Sequence, residues 1–154
     1  MPPKNSIKSY VPEGIYHIYN RGVEKRIIYL DDLDYKTFLH FLKKYLDESQ
    51  KINPVTFLPN IMSLSEEIDL LAFCLMPNHF HLLIKQKTDD GIMKLMKRIS
   101  TSFSMYFNNR YKRVGPLFQG IYKAVQMHTD EQLLHVSRYI HKNPLDLISR
   151  VDPP

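Results

Sequence analysis

The sequence predicts an α+β fold: a four-stranded antiparallel sheet with helices mainly on one face and an appended C-terminal helix. Three observations predict it. Two apolar runs near the middle of the chain are joined by a two-residue turn, two amphipathic stretches each lie between strand-like segments, and a third helix is signalled after the last of these. The 154 residues are expected to form a single domain, 1–154, large enough to bury about two-thirds of the surface of the unfolded chain.

The first strand is read at Ile15-Tyr16-His17-Ile18-Tyr19, rich in β-branched and aromatic residues and closed by the turn signal Asn20-Arg21-Gly22. Asp31 and Asp32 then offer a helix N-cap, and Tyr35, Phe38, Leu39, Leu42, Tyr45 and Leu46 recur at helical spacing. That stripe must lie on a sheet. Residues 50–69 carry two prolines and no clear period, so a long loop is expected there, with a short helix around Ser65 to Ile68. The runs Leu70 to Met76 and Phe80 to Lys85, joined by Pro77-Asn78, read as a tight hairpin at the centre of the sheet. Ile92, Leu95, Met96, Ile99, Phe103, Tyr106 and Phe107 repeat at three and four residues and define a second helix, with Lys94, Lys97 and Arg98 off its apolar stripe. Gly115-Pro116 breaks the chain before a fourth strand at Ile121 to Met127. Thr129 with Gln132 makes a capping box for a third helix running to about Lys142, where Asn143-Pro144 is expected to stop it. The order strand, helix, strand, strand, helix, strand matches the split β-α-β, ferredoxin-like arrangement, with one helix appended.

Composition narrows the function classes. With 44% hydrophobic and 24% charged residues, the chain is neither disordered nor fibrous. Its longest apolar run, Leu70 to Met76, is far short of the ~20 residues of a membrane span. The first residues lack the apolar stretch of a signal peptide, so a cytoplasmic protein with no membrane partner is expected. The single cysteine, Cys74, excludes an intrachain disulfide and reads as a small buried hydrophobe. The net charge of +5 is unevenly spread: Gly91 to Thr129 holds Lys94, Lys97, Arg98, Arg110, Lys112, Arg113 and Lys123 and no acid, leaving the remainder slightly negative. Such a block suits a polyanion, nucleic acid above all, or a solvated helix face.

Two constellations can carry chemistry. In His79-Phe80-His81 the strand alternation sends both imidazoles to one side, about 6–7 Å apart at the backbone, and Phe80, Leu82 and Ile84 to the other. Such a pair can converge on one cation, or bind nothing. On the third helix, Tyr139 and Asn143 are four residues apart and share a face, with His135 a turn earlier. A phenol oxygen can act as a covalent nucleophile, and an amide oxygen can complete a histidine pair around Mg²⁺ or Mn²⁺. The bland alternative is an ordinary helix residue and a helix stop.

Four segments, in order and spacing, resemble the HUH single-tyrosine transposases, specifically the REP-associated and IS200-like group: Tyr16-His17-Ile18-Tyr19-Asn20-Arg21-Gly22; Leu75-Met76-Pro77-Asn78-His79-Phe80-His81-Leu82-Leu83; Gly115-Pro116-Leu117-Phe118-Gln119-Gly120 with Tyr122-Lys123; and Ser137-Arg138-Tyr139-Ile140-His141-Lys142-Asn143-Pro144. The resemblance spans about residues 14–146. It implies a divalent metal, Mg²⁺ or Mn²⁺, held by His79 and His81 with Asn143 as third ligand. It also implies Tyr139 as the nucleophile on single-stranded DNA carrying hairpins, leaving a 5′-phosphotyrosine and a free 3′ hydroxyl. Lys94, Lys97, Arg98, Arg110, Lys112, Arg113, Lys123 and Arg21 would follow the DNA backbone, with Tyr111 a base-stacking candidate. His135 and His141 are the neighbours considered for deprotonating Tyr139. Relatives act as monomers or as homodimers in which the tyrosine helix serves the partner. Two other functions stand beside this one: a catalytically silent protein that binds hairpin DNA or RNA, and a metallohydrolase built on His79 and His81.

Overall fold

The computed structural model describes residues 10–47, 55–56 and 63–149. The chain runs β1 (Ile15–Arg21), α1 (Asp32–Leu46), β2 (Ile68–Met76), β3 (His79–Gln86), α2 (Gly91–Arg110), β4 (Lys123–Met127) and α3 (Asp130–Ser149). All strand pairings are antiparallel, in the order β2-β3-β1-β4. This is the expected ferredoxin-like sheet.

Side-chain alternation divides the sheet into two faces. Tyr16 and Ile18 from β1 and Phe80, Leu82 and Ile84 from β3 turn to one face, where Phe38 and Leu42 of α1 and Leu95, Ile99 and Phe103 of α2 complete the main core. The opposite face is covered by α3: Ala72, Cys74, Met76 and Leu83 pack with Ile140, flanked by Leu133 and Val136. Burial raises the Cys74 thiol to about 11, so it behaves as the small hydrophobe expected.

Local signals explain the starts of α1 and α3. The Asp31 side chain accepts from the Asp34 N–H at 3.1 Å and caps α1. At α3, Thr129 Oγ1 accepts from the Gln132 N–H at 3.1 Å, and Gln132 Oε1 accepts from the His128 N–H at 2.8 Å, a reciprocal cap. The loop expected over 50–69 lies mostly outside the described residues.

Three expectations are corrected. Ser65 to Glu67 is a turn closed by the Glu67 and Ile68 N–H groups on the Leu64 carbonyl, not a short helix, and β2 already begins at Ile68. Only β3 of the hairpin is central; β2 is an edge strand whose Leu71 and Phe73 remain about half exposed. Its continuous apolar run misleads because a register shift between Leu70 and Ala72 interrupts the alternation. Asn143-Pro144 does not stop α3, which continues to Ser149 with Pro144 inside it. A mid-helix proline costs about 3 kcal/mol, and packing of the buried Ile140 on the second core outweighs that local signal.

The Pro77-Asn78 turn is held by the segment after β1. Gly22 N–H donates to the Asn78 carbonyl at 2.9 Å, and the Ile28 and Tyr29 N–H groups donate to the Pro77 carbonyl. A Cβ on Gly22 would lie 2.3 Å from the Arg26 carbonyl oxygen, so only glycine allows this approach. The start of β3 is thereby fixed beside the end of β1.

Candidate active site

The face of the sheet under α3 carries the imidazoles. Register pairs Arg21 with His79 and Tyr19 with His81, while His17 pairs with Leu83. His17, Tyr19, His79 and His81 therefore project to one side, opposite Phe80, Leu82 and Ile84. The His79 and His81 rings meet edge-on with centroids 5.0 Å apart. His79 is half-buried, and its Nδ1–H donates to Asn78 Oδ1 at 2.7 Å. An amide oxygen only accepts, so the His79 proton sits on Nδ1 and its Nε2 keeps a lone pair. His81 is buried and hydrogen-bonded through Nδ1 to His17 Nε2 at 2.9 Å.

Burial lowers all three imidazoles below the ordinary histidine value, and for His81, with His17 and His79 adding to the effect, the value falls to about 3. They are neutral near pH 7, the form that accepts a cation.

Helix α3 brings its residues over this group. The Tyr139 ring stands edge-on to His81, with centroids 5.3 Å apart, and the side chain is 47% exposed. It touches the histidine site while remaining reachable from solvent. Asn143, one turn further, is buried. Among the described residues four buried side-chain polar atoms have no partner, and His81 Nε2 and Asn143 Nδ2 are two of them. Each such atom costs about 1–3 kcal/mol; the other two, the Tyr29 hydroxyl and Gln86 Nε2, belong to the α1–α2 side of the sheet. Among the described residues no three His, Cys, Asp or Glu side chains gather to hold a metal ion. The donor set offered is two neutral imidazoles and an amide. Its chemistry suits a divalent cation: His79 and His81 present ring nitrogens on one face of the sheet, and Asn143, a buried amide one turn beyond Tyr139, is of a type that can supply an oxygen ligand.

Beside His79 lies a cavity of about 540 Å³ lined by Tyr19, Asn20, Arg21, Asn78, His79, Gln119 and Lys123. Gln119 Oε1 accepts from Arg21 Nε at 2.5 Å, holding the guanidinium in place. Two cations and no acid line this space, which suits an anion.

The basic residues expected on a nucleic-acid path divide sharply. Arg21 and Lys123 line the cavity. The block from Lys94 to Arg113 lies between β3 and α3 in sequence, but α2 packs on the other face of the sheet. There Lys94 pairs with Glu67 and Asp90, Arg110 with Asp31 and Asp34, and the Tyr111 hydroxyl donates to Asp34. Arg113 donates to Asn108 Oδ1 and the carbonyls of Gly115 and Pro116. These four side chains are engaged in contacts within the protein. Lys97 and Lys112 are exposed on the same side, and Arg98 is half-buried. His135 and His141 are exposed on α3, and His141 Nδ1–H donates to the Ser137 carbonyl at 2.6 Å; the imidazole that meets Tyr139 is His81 instead. Sequence reading gave no site role to His17, Tyr19, Asn20, Asn78 or Gln119. The available signal was that His17-Ile18-Tyr19 repeats the alternation of His79-Phe80-His81, so pairing the two strands brings both sets to one face.

Known proteins agree with this architecture. A family model described as "Transposase IS200 like" matches residues 32–143. The fold is similar to that of a REP-associated tyrosine transposase solved bound to a REP hairpin, with a TM-score of 0.60 and 15% identity over 91% of this chain and 72% of that one. It is also similar to a Deinococcus radiodurans R1 protein described as a candidate transposase, with a TM-score of 0.53 and 15% identity over 89% of this chain and 95% of that one. No curated protein matches the sequence.

Proposed function

Because the chain belongs to the IS200-like transposase family, we propose that it nicks and rejoins single-stranded, hairpin-bearing DNA through a 5′-phosphotyrosine intermediate on Tyr139. The observation that carries this reading is the Tyr139 ring against His81, with the buried Asn143 amide, its Nδ2 without a partner, one turn on. His79, His81 and Asn143 would hold a divalent cation, Mg²⁺ or Mn²⁺. When bound, that ion offsets the charge of a non-bridging phosphate oxygen and lowers the barrier to attack by an oxygen nucleophile.

The protein's own residues do the rest. Arg21 and Lys123 receive the phosphodiester in the cavity beside His79, and Gln119 keeps the Arg21 guanidinium oriented. Tyr139 Oη bonds to phosphorus as the bond from phosphorus to the 3′ oxygen breaks. The proton lost by the phenol is matched by the one gained on the 3′ hydroxyl. The tyrosyl phosphodiester resembles the bond it replaced, so a second 3′ hydroxyl reverses the step and joins a new strand. α3 crosses its own sheet, so Tyr139 and His81 of one chain meet, which favours action within a single subunit over exchange in a homodimer.

Incubation of labelled single-stranded hairpin DNA with Mn²⁺ or Mg²⁺ tests this. Wild type forms a covalent protein–DNA adduct and Tyr139→Phe forms none. An adduct that survives in Tyr139→Phe overturns the assignment. Binding without any adduct in wild type identifies a silent hairpin-binding protein, and cleavage to a free 5′ phosphate without adduct identifies a hydrolase.

A further inference from the structure

We propose that His17 is a positioning residue, holding His81 as the Nδ1–H tautomer so that the Nε2 lone pair of His81 faces the site. The inference rests on the reading above only in its metal-binding arm; the tautomer itself is a property of the protein alone.

His17 on β1 and His81 on β3 are diagonal neighbours on one face of the sheet, within reach of each other's side chains. Their rings lie nearly parallel, with an interplanar angle of 26° and centroids 5.0 Å apart, and His17 Nε2 is 2.9 Å from His81 Nδ1. Between two neutral imidazoles one nitrogen donates and the other accepts, so only two arrangements exist. If His17 Nε2–H donated, the His81 proton would sit on Nε2, a buried atom with no partner. That would bury an N–H with no acceptor, the rarer and more costly kind of orphan. If instead His81 Nδ1–H donates to His17 Nε2, the orphan on His81 is a bare lone pair. That is the form able to engage a cation.

A second observation agrees independently. The bond from His79 Nδ1–H to Asn78 puts the neighbouring imidazole in the same tautomer. Both histidines then offer Nε2, each fixed through Nδ1 by a different partner, the outer support that ligating histidines generally require. Of the proposed ligands His17 is hydrogen-bonded to His81, and its ring also packs on Tyr19, with centroids 5.0 Å apart.

Long-range ¹H–¹⁵N correlation spectra of the ¹⁵N-labelled protein at neutral pH, without metal or DNA, test the tautomer directly. In wild type the His81 Nδ1 signal is that of a protonated nitrogen and Nε2 that of a bare one. In His17→Ala the two signals move toward each other as the Nε2–H form becomes populated, and Mn²⁺ affinity measured by calorimetry falls about 10–100-fold. In His17→Gln the amide oxygen accepts in place of the imidazole and restores both readouts, which separates positioning from a general packing defect. An Nε2–H tautomer of His81 in wild type, or an unchanged His81 tautomer in a folded His17→Ala, overturns the proposal. Wild type that shows the expected tautomer but binds no Mn²⁺ upholds the role of His17 in setting the tautomer and overturns the metal reading instead.

Discussion

On the α1–α2 side of the sheet, Asp34 is fully buried and receives four hydrogen bonds: from the Leu30 N–H at 2.8 Å, the Tyr106 hydroxyl at 2.7 Å, Arg110 Nη1 at 2.7 Å and the Tyr111 hydroxyl at 2.6 Å. On the α3 side, His81 and Asn143 are also buried, yet each leaves a polar atom without a partner. Both clusters place polar groups in the interior, where desolvation is costly. Asp34 recovers that cost inside the protein, as a stabilising group does. The histidine cluster leaves part of it unrecovered, the pattern of a site that awaits a ligand.

Breaking the completed cluster should give the largest change in stability. Asp34→Ala removes the acceptor of four donors, and loss of one member of a buried charged network costs on the order of 3 kcal/mol. Urea unfolding should show that loss, while the folded variant still forms the DNA adduct. His79→Ala should do the reverse, abolishing the adduct with a stability change under about 1 kcal/mol, since that ring is only half-buried. Acid titration sharpens the contrast. Burial pushes the Asp34 carboxyl up, but the hydrogen bonds from Tyr111, Tyr106, the Leu30 N–H and Arg110 outweigh it and hold it below the ordinary range. Its stabilisation is therefore present above about pH 4, the value for an unfolded aspartate, and is lost as pH falls through the lower folded value. Asp34→Ala should flatten that acid limb of the stability profile; an unaltered limb would show that Asp34 is not its source.

The same division explains what the sequence made legible. β1, the Asp31 cap of α1 and the apolar stripe of α2 were readable because local propensity and packing point the same way there. His79, His81, Tyr139 and Asn143 were readable because each sits in a motif of fixed spacing. What was not readable depends on which face of the sheet each helix covers. Asp34 looks like an ordinary first-turn acid of α1 until α2 brings Tyr106, Arg110 and Tyr111 to it. The basic block reads as one uniform stretch until the fold pairs Lys94 and Arg110 with acids and leaves Lys97 and Lys112 exposed. His17 is a strand histidine until β1 is laid beside β3. Pro144 reads as a stop because the sequence does not reveal that α3 packs across a second core.

If the α3 side is the DNA face, the two sets of cations differ in salt dependence. Arg21→Ala and Lys123→Ala each remove one phosphate contact and should weaken hairpin DNA binding, lowering the slope of log affinity against log salt by about one. Lys94→Ala and Arg110→Ala lose partners on the α2 side and should leave that slope unchanged. Equal slopes for all four variants would place the DNA on both faces and erase the distinction.

The smallest expected effect is the most direct test of the unfinished cluster. Asn143→Ala removes a buried amide whose unpartnered Nδ2 costs about 1–3 kcal/mol and replaces asparagine by the best helix former, worth roughly 0.6 kcal/mol mid-helix. Against these stands the small void left by the truncation, on the order of 1 kcal/mol. The balance is a gain of about 1 kcal/mol in urea unfolding, accompanied by loss of the covalent adduct, because a better-folded protein has given up a ligand. An Asn143→Ala protein less stable than wild type would mean that the amide is a structural member like Asp34, and the contrast between the two sides of the sheet would then rest on His81 alone.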